Sequence, residues 1–78
     1  MLKKLLNLNK MEEAGRIVEE ILKYLKEEGS VRRENIKDTF GLEEEKIEEI
    51  LKFLLDLKVI EMDNQIRITE AGLEFLQL

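Results

Sequence analysis

The chain contains no cysteine, no histidine, no tryptophan and no proline. Without cysteine no disulfide can brace it, and without cysteine or histidine the familiar zinc sites are excluded. The same absences remove Ser-His-Asp and Cys-His catalytic arrangements. Its hydroxyl side chains are Ser30, Thr39, Thr69 and Tyr24, and none stands beside an obvious general base. Carboxylate pairs can do acid–base work, but with 18 acidic residues such pairs arise by chance. The expectation is a protein that is not an enzyme, with no metal, no cofactor and no evident small-molecule ligand. No apolar run approaches the roughly 18 residues that span a membrane, so no membrane role is expected. The opening MLKKLLNLNK is too short and too polar for a secretory signal, which makes a cytoplasmic location the default.

What is present is charge. Charged residues make up 40% of the 78, with a formal net charge of −5. That balance favours solubility and disfavours generic binding to nucleic acid or anionic membranes. Abundant Lys and Glu with only Gln65 and Gln77 resemble a thermophile composition, although the lack of proline does not add to that picture. The length suits one small domain. A domain of this size buries only about 60–65% of its unfolded surface, so its stability is marginal without further support.

Residues 1–9 read as an apolar and basic extension, with Leu2, Leu5, Leu6 and Leu8 beside Lys3 and Lys4. Asn9 and Glu12 fit a capping box, and a helix is expected to begin there. Met11, Ala14, Ile17, Val18, Ile21, Leu22 and Leu25 then form an i, i+3, i+4 stripe ending at Gly29, a residue suited to a left-handed cap. Ser30 to Arg32 is long enough only for a bridge or a tiny strand. A short helix is predicted over residues 33–40, burying Ile36 and Phe40, with Gly41 ending it and Leu42 plugging the turn. A third helix follows at roughly 43–58. On it Ile47, Ile50, Leu51, Leu54 and Leu57 share one side, and Glu45, Glu49, Lys52 and Asp56 lie opposite. Val59–Met62 and Gln65–Ile68 read as strands, joined by Asp63-Asn64 as a two-residue turn with positive φ. Thr69 is placed to cap a last helix.

This order, carried by Ile17 to Leu25, Gly29-Ser30-Val31, Ile36, Phe40-Gly41-Leu42, Ile47 to Leu54, Val59-Ile60 and Ile66 to Gly72, resembles the winged helix-turn-helix family. Ile66-Arg67-Ile68-Thr69-Glu70-Ala71-Gly72 is similar to the I-x-L-T-x-x-G that closes the wing in small bacterial and archaeal-type transcriptional regulators. The resemblance covers residues 11–78. It implies a mostly helical fold: a three-helix core, a short antiparallel sheet with a hairpin wing, and a C-terminal helix, occupying residues 10–78. It also implies a homodimeric regulator of double-stranded DNA, with the third helix in the major groove and the second bracing it.

The third helix departs from what DNA asks of it. Residues 43–58 hold five Glu and Asp56 against Lys46, Lys52 and Lys58, whereas affinity for DNA comes largely from Lys and Arg at phosphates. Carboxylates in a first helical turn also have a purely structural use, complementing the helix dipole by about 0.3–1 kcal/mol each. The residues expected at DNA, if it is bound, are Lys3, Lys4, Arg32, Arg33, Lys37, Lys46, Lys52 and Arg67. The alternative is a winged helix used as a protein-interaction or assembly module. Its expected interface is the apolar excess of Leu2, Leu5, Leu6, Leu8, Phe53, Leu55, Leu73, Phe75, Leu76 and Leu78, since contiguous exposed apolar surface marks interfaces. The terminal segments could instead fold back to enlarge a thin core.

Overall fold

A computed structural model describes the backbone of residues 2–77 and the side chains of residues 15–77. Four helices and one hairpin follow in the order α1 (Leu2–Glu28), α2 (Arg33–Phe40), α3 (Glu44–Asp56), β1 (Ile60–Met62), β2 (Ile66–Ile68) and α4 (Glu70–Gln77). The chain is therefore mostly α with a small antiparallel sheet. None of the described helices is long and apolar enough to cross a membrane.

The helix expected to start at Asn9 does not start there. α1 runs unbroken for 27 residues from Leu2, a length of about 40 Å at 1.5 Å per residue. A side chain can act as an N-cap only where its own residue leaves the helical conformation, so it matters whether the residues before Asn9 are good helix formers. Leu and Lys are good ones, and extending a helix already nucleated needs only one residue fixed per hydrogen bond. α1 ends where the Gly29 amide donates to the Leu25 carbonyl.

α2 spans the predicted residues. The Asn35 side chain accepts the Arg32 backbone N–H at its start, and Ile36 is fully buried. Phe40 meets Tyr24 edge-on, with ring centroids 5.8 Å apart. Such a contact is worth about 0.5–1.5 kcal/mol beyond its buried area, and it pins the end of α2 to α1. Leu42 packs on the core behind the turn, as expected of a plug.

α3 buries Ile47, Leu51 and Leu54, and Ile50 packs against the core half-buried. Leu57, assigned to the same face from its spacing, is 49% exposed. The helix closes one residue before it, so Leu57 is the C-cap rather than another turn. Beyond it the Lys58 amide donates to the Leu55 carbonyl and the Val59 amide to the Leu54 carbonyl, the paired bonds of a Schellman motif. Lys58 stands at the left-handed position, φ +61°, usually given to glycine. Val59 and Leu54, both buried, make the apolar closure of that motif.

The hairpin pairs Ile60 with Ile68, Glu61 with Arg67 and Met62 with Ile66. Its loop is three residues, 63–65, not the expected two, and neither Asp63 nor Asn64 takes a positive φ. The Asp63 carboxylate accepts the Gln65 amide at 3.0 Å, and the Asp63 amide donates to the Gln65 carbonyl. An aspartate bonding its own chain two residues on can close a turn without left-handed backbone. On the other edge of β2, Val31 and Ile66 exchange two backbone hydrogen bonds of 3.0 and 2.7 Å. The bridge expected near Val31 is thus part of the sheet.

Thr69 ties hairpin to helix. Its hydroxyl donates to the Lys58 carbonyl at 2.7 Å and accepts the Gly72 amide at 3.2 Å, and its amide donates to the Val59 carbonyl. Gly72 is buried in α4. A Cβ there would fall inside contact distance of the Val59 carbonyl oxygen and the Ile68 side chain. The T-x-x-G spacing is thereby explained: the hydroxyl caps the helix, and the glycine lets that helix lie against the strand.

Ile21, Leu22, Leu25, Ile36, Ile47, Leu54 and Ile66 are fully buried, each contributing about 1.5–3 kcal/mol of transfer free energy. They come from α1, α2, α3 and β2, so the core sits where the first three helices meet the sheet. Among the described residues no charged or polar side chain is buried.

Candidate interaction surfaces

α2 and α3 face each other across Gly41, and their charges interlock. Arg33 and Lys37, four apart on α2, point at Glu44 and Glu48, four apart on α3. Arg33 Nη2 lies 2.5 Å from Glu44 Oε2 and 3.4 Å from Glu48 Oε1, and Lys37 Nζ lies 2.7 Å from Glu44 Oε1. Hydrogen bonds from Arg33, then Lys37, lower the Glu44 carboxyl to about 2. The bond to Glu44 in turn raises the Arg33 guanidinium above its ordinary value. Glu44 and Glu45 also occupy the first turn of α3, where carboxylates complement the helix dipole.

The hairpin repeats this on a smaller scale. Arg67 Nε is 3.1 Å from Glu61 Oε1, its cross-strand partner, and Nη2 is 3.0 Å from Asp63 Oδ2. Asp63 is held below the usual carboxylate range, first by the Gln65 amide and then by Arg67. Lys46 lies 3.9 Å from Glu49. Lys52 shares a shallow hollow with Glu45, Glu48 and Glu49.

Of the cations expected at DNA, Arg33, Lys37, Lys46 and Arg67 are therefore paired with carboxylates. Arg32 and Lys52 form no ion pair among the described residues, and the side chains of Lys3 and Lys4 lie outside the described residues. Arg33 and Lys37 do share one patch, but that patch is the α2–α3 ion network. The matched i,i+4 spacing on two adjacent helices was the signal for it. The counterpart for Arg67 was the hairpin register, which sets Glu61 opposite.

The other flank of α3 is apolar. Ile17 and Val18 of α1, Ile50, Phe53 and Leu57 of the α3 side and Phe75 of α4 line an open groove of about 460 Å³, with Lys46 and Glu49 at its edge. Phe53, Leu57 and Phe75 are 51%, 49% and 43% exposed. Two of the expected interface residues, Phe53 and Phe75, are thus brought together. Leu55 and Leu76 instead pack half-buried on the core, and Leu73 is half-buried. Leu55 and Leu76 thereby thicken the core. Leu2, Leu5, Leu6, Leu8 and Leu78 lie outside the residues whose side chains are described. Sequence reading missed the part played by Ile17, Val18 and Leu57, because stripe membership alone does not tell a covered position from an uncovered one. No family model, curated protein or solved structure matches the chain.

Proposed function

We propose that the chain is a winged helix-turn-helix domain whose surface serves protein–protein assembly rather than the reading of duplex DNA. The element order supports the fold: α1, the Val31 bridge, α2, α3, the hairpin as wing, then α4. The observation that carries the proposed use is the pairing of the cations. Arg33 and Lys37 are bound to Glu44 and Glu48, and Arg67 to Glu61 and Asp63. A protein gains affinity for DNA by replacing condensed counterions with Lys and Arg. Here each phosphate contact at these residues displaces a carboxylate already in place, while Glu45, Glu48 and Glu49 stand nearby on α3. The apolar groove stands open beside half-exposed Phe53, Leu57 and Phe75, and such surface is characteristic of interfaces between proteins.

The rival reading, a homodimeric DNA-binding transcriptional regulator, draws on the same element order and on Arg32 and Lys52, which have no ion-pair partner among the described residues. A titration of duplex DNA at two salt concentrations decides between them. The expected result is no binding at micromolar protein even at low salt. Binding that weakens steeply with salt, and is lost on Arg32→Glu with Arg33→Glu, overturns the assembly reading.

A further inference from the structure

The groove along α3 is lined from α1, α3 and α4, and no described strand borders it. Backbone groups inside a helix are already paired along that helix, so these walls offer side chains and no ladder to join. A chain laid there has to satisfy its own N–H and C=O groups, and a helix does so. On α3 the apolar lining is Ile50, Phe53 and Leu57, spaced by three and then four residues, the pattern that meets another helix lengthwise. From Lys46 to Leu57 the groove follows α3 for about 16 Å, or about three helical turns. The charge around it is mostly of one sign. α3 carries Glu44, Glu45, Glu48, Glu49 and Asp56 against Lys46 and Lys52, and α4 carries Glu70 and Glu74 with no cation. Glu49 stands at the edge of the groove and also lines the neighbouring hollow with Glu45, Glu48 and Lys52. Glu44 and Glu48 are taken up by α2, whereas Glu45 has no ion-pair partner among the described residues and Glu49 has only Lys46, at 3.9 Å.

We propose that the groove takes a basic amphipathic helix of another protein, its apolar stripe on Ile50, Phe53, Leu57 and Phe75 and its lysines or arginines over Glu45 and Glu49. This rests on the assembly reading above and names the chemistry of the partner. An amphipathic helix laid in an apolar groove is a recurrent mode of recognition, read through anchors three and four residues apart. Basic residues beside the stripe answer the carboxylates that the fold leaves uncommitted. A second copy of the chain brings the same acidic α3 and α4 to the contact, and like charges set against each other disfavour a partner.

The test uses the full chain and two synthetic helices of about fourteen residues. Both have leucines at i, i+3, i+4 and i+7; one has lysines elsewhere and the other glutamates. Fluorescence anisotropy of the labelled helices should show micromolar binding of the lysine helix, about tenfold or more tighter than the glutamate helix. Phe53→Asp should weaken that binding about tenfold, and so should Glu45→Lys with Glu49→Lys. All three positions are exposed, and circular dichroism should show the helices kept in each variant. No binding, equal binding of the two helices, or binding indifferent to Phe53→Asp overturns the proposal. So does a chain that sediments as a dimer at the probe concentrations and thereby excludes the lysine helix, since a second copy then holds the groove. Each of these failures leaves the assembly reading standing unless the DNA titration has separately gone against it.

Discussion

On the α2 side of α3, Glu44 and Glu48 find Arg33 and Lys37 within hydrogen-bonding reach. On the α1 and α4 side, Phe53 and Leu57 stay about half exposed beside Phe75. The two flanks belong to one helix of 13 residues, yet one has satisfied its side chains within the chain and the other has not. A charged flank satisfied this way has little to gain from a polyanion, because any new contact first breaks an old one. An apolar flank left open gains from whatever covers it. This contrast, rather than net charge alone, is the physical ground for the assembly role proposed above.

Gly72→Ala should break the comparison most severely. Its Cβ would collide with the Val59 carbonyl and the Ile68 side chain, forcing α4 and Phe75 away and reshaping the groove while leaving the α2–α3 ion network in place. Overpacking of this kind costs about 1–3 kcal/mol, and a lower urea midpoint would reveal it. An unchanged midpoint would mean that α4 is not packed this closely on the strand.

Lys58→Gly should act in the opposite direction and spare both flanks. A left-handed residue other than glycine costs about 1–2 kcal/mol, partly offset by the extra freedom of glycine in the unfolded chain. A gain of about 0.5–1 kcal/mol in thermal or urea unfolding is expected. A loss would show that the Lys58 side chain has a use at the Schellman turn that outweighs its backbone strain.

The smallest effect should come from the charged flank. The Glu44 carboxyl is lowered to about 2, mainly by Arg33 and then Lys37. A depressed carboxylate contributes stability that is complete above its unfolded pKa and lost as pH falls through the folded value. The network should therefore weaken between about pH 4.5 and pH 2. Glu44→Gln should flatten this part of the acid-unfolding curve, as should added salt, because the pair is exposed and screened. A Glu44 titration seen by carboxyl NMR in the ordinary range would contradict the network.

Much of the fold was legible. Ile36, Phe40 and Gly41 marked α2, alternation through Ile66 and Ile68 marked β2, and Thr69 marked the start of α4. These signals are local, so they survive being read in isolation. The misses came where a local preference met a stronger neighbour. Asn9 offers a cap, but α1 propagates through it from Leu2. Asp63 offers a positive-φ turn, but its side chain closes an Asx turn onto Gln65 instead. Leu57 keeps the apolar spacing of α3 after the helix has ended. The candidate surfaces were less legible, since Arg33 and Lys37 read as free cations until α3 is set beside α2. Phe53 and Phe75 read as separate apolar residues until α4 folds over.

The central claim is that the working face is the apolar flank of α3. It is tested most directly by following backbone amide chemical shifts while the lysine helix is titrated in. The account predicts shifts at Ile17, Val18, Ile50, Phe53, Leu57 and Phe75, with Arg33, Lys37 and Arg67 unmoved. Groove residues that hold their shifts throughout, or movement confined to the α2–α3 ion network, would contradict it.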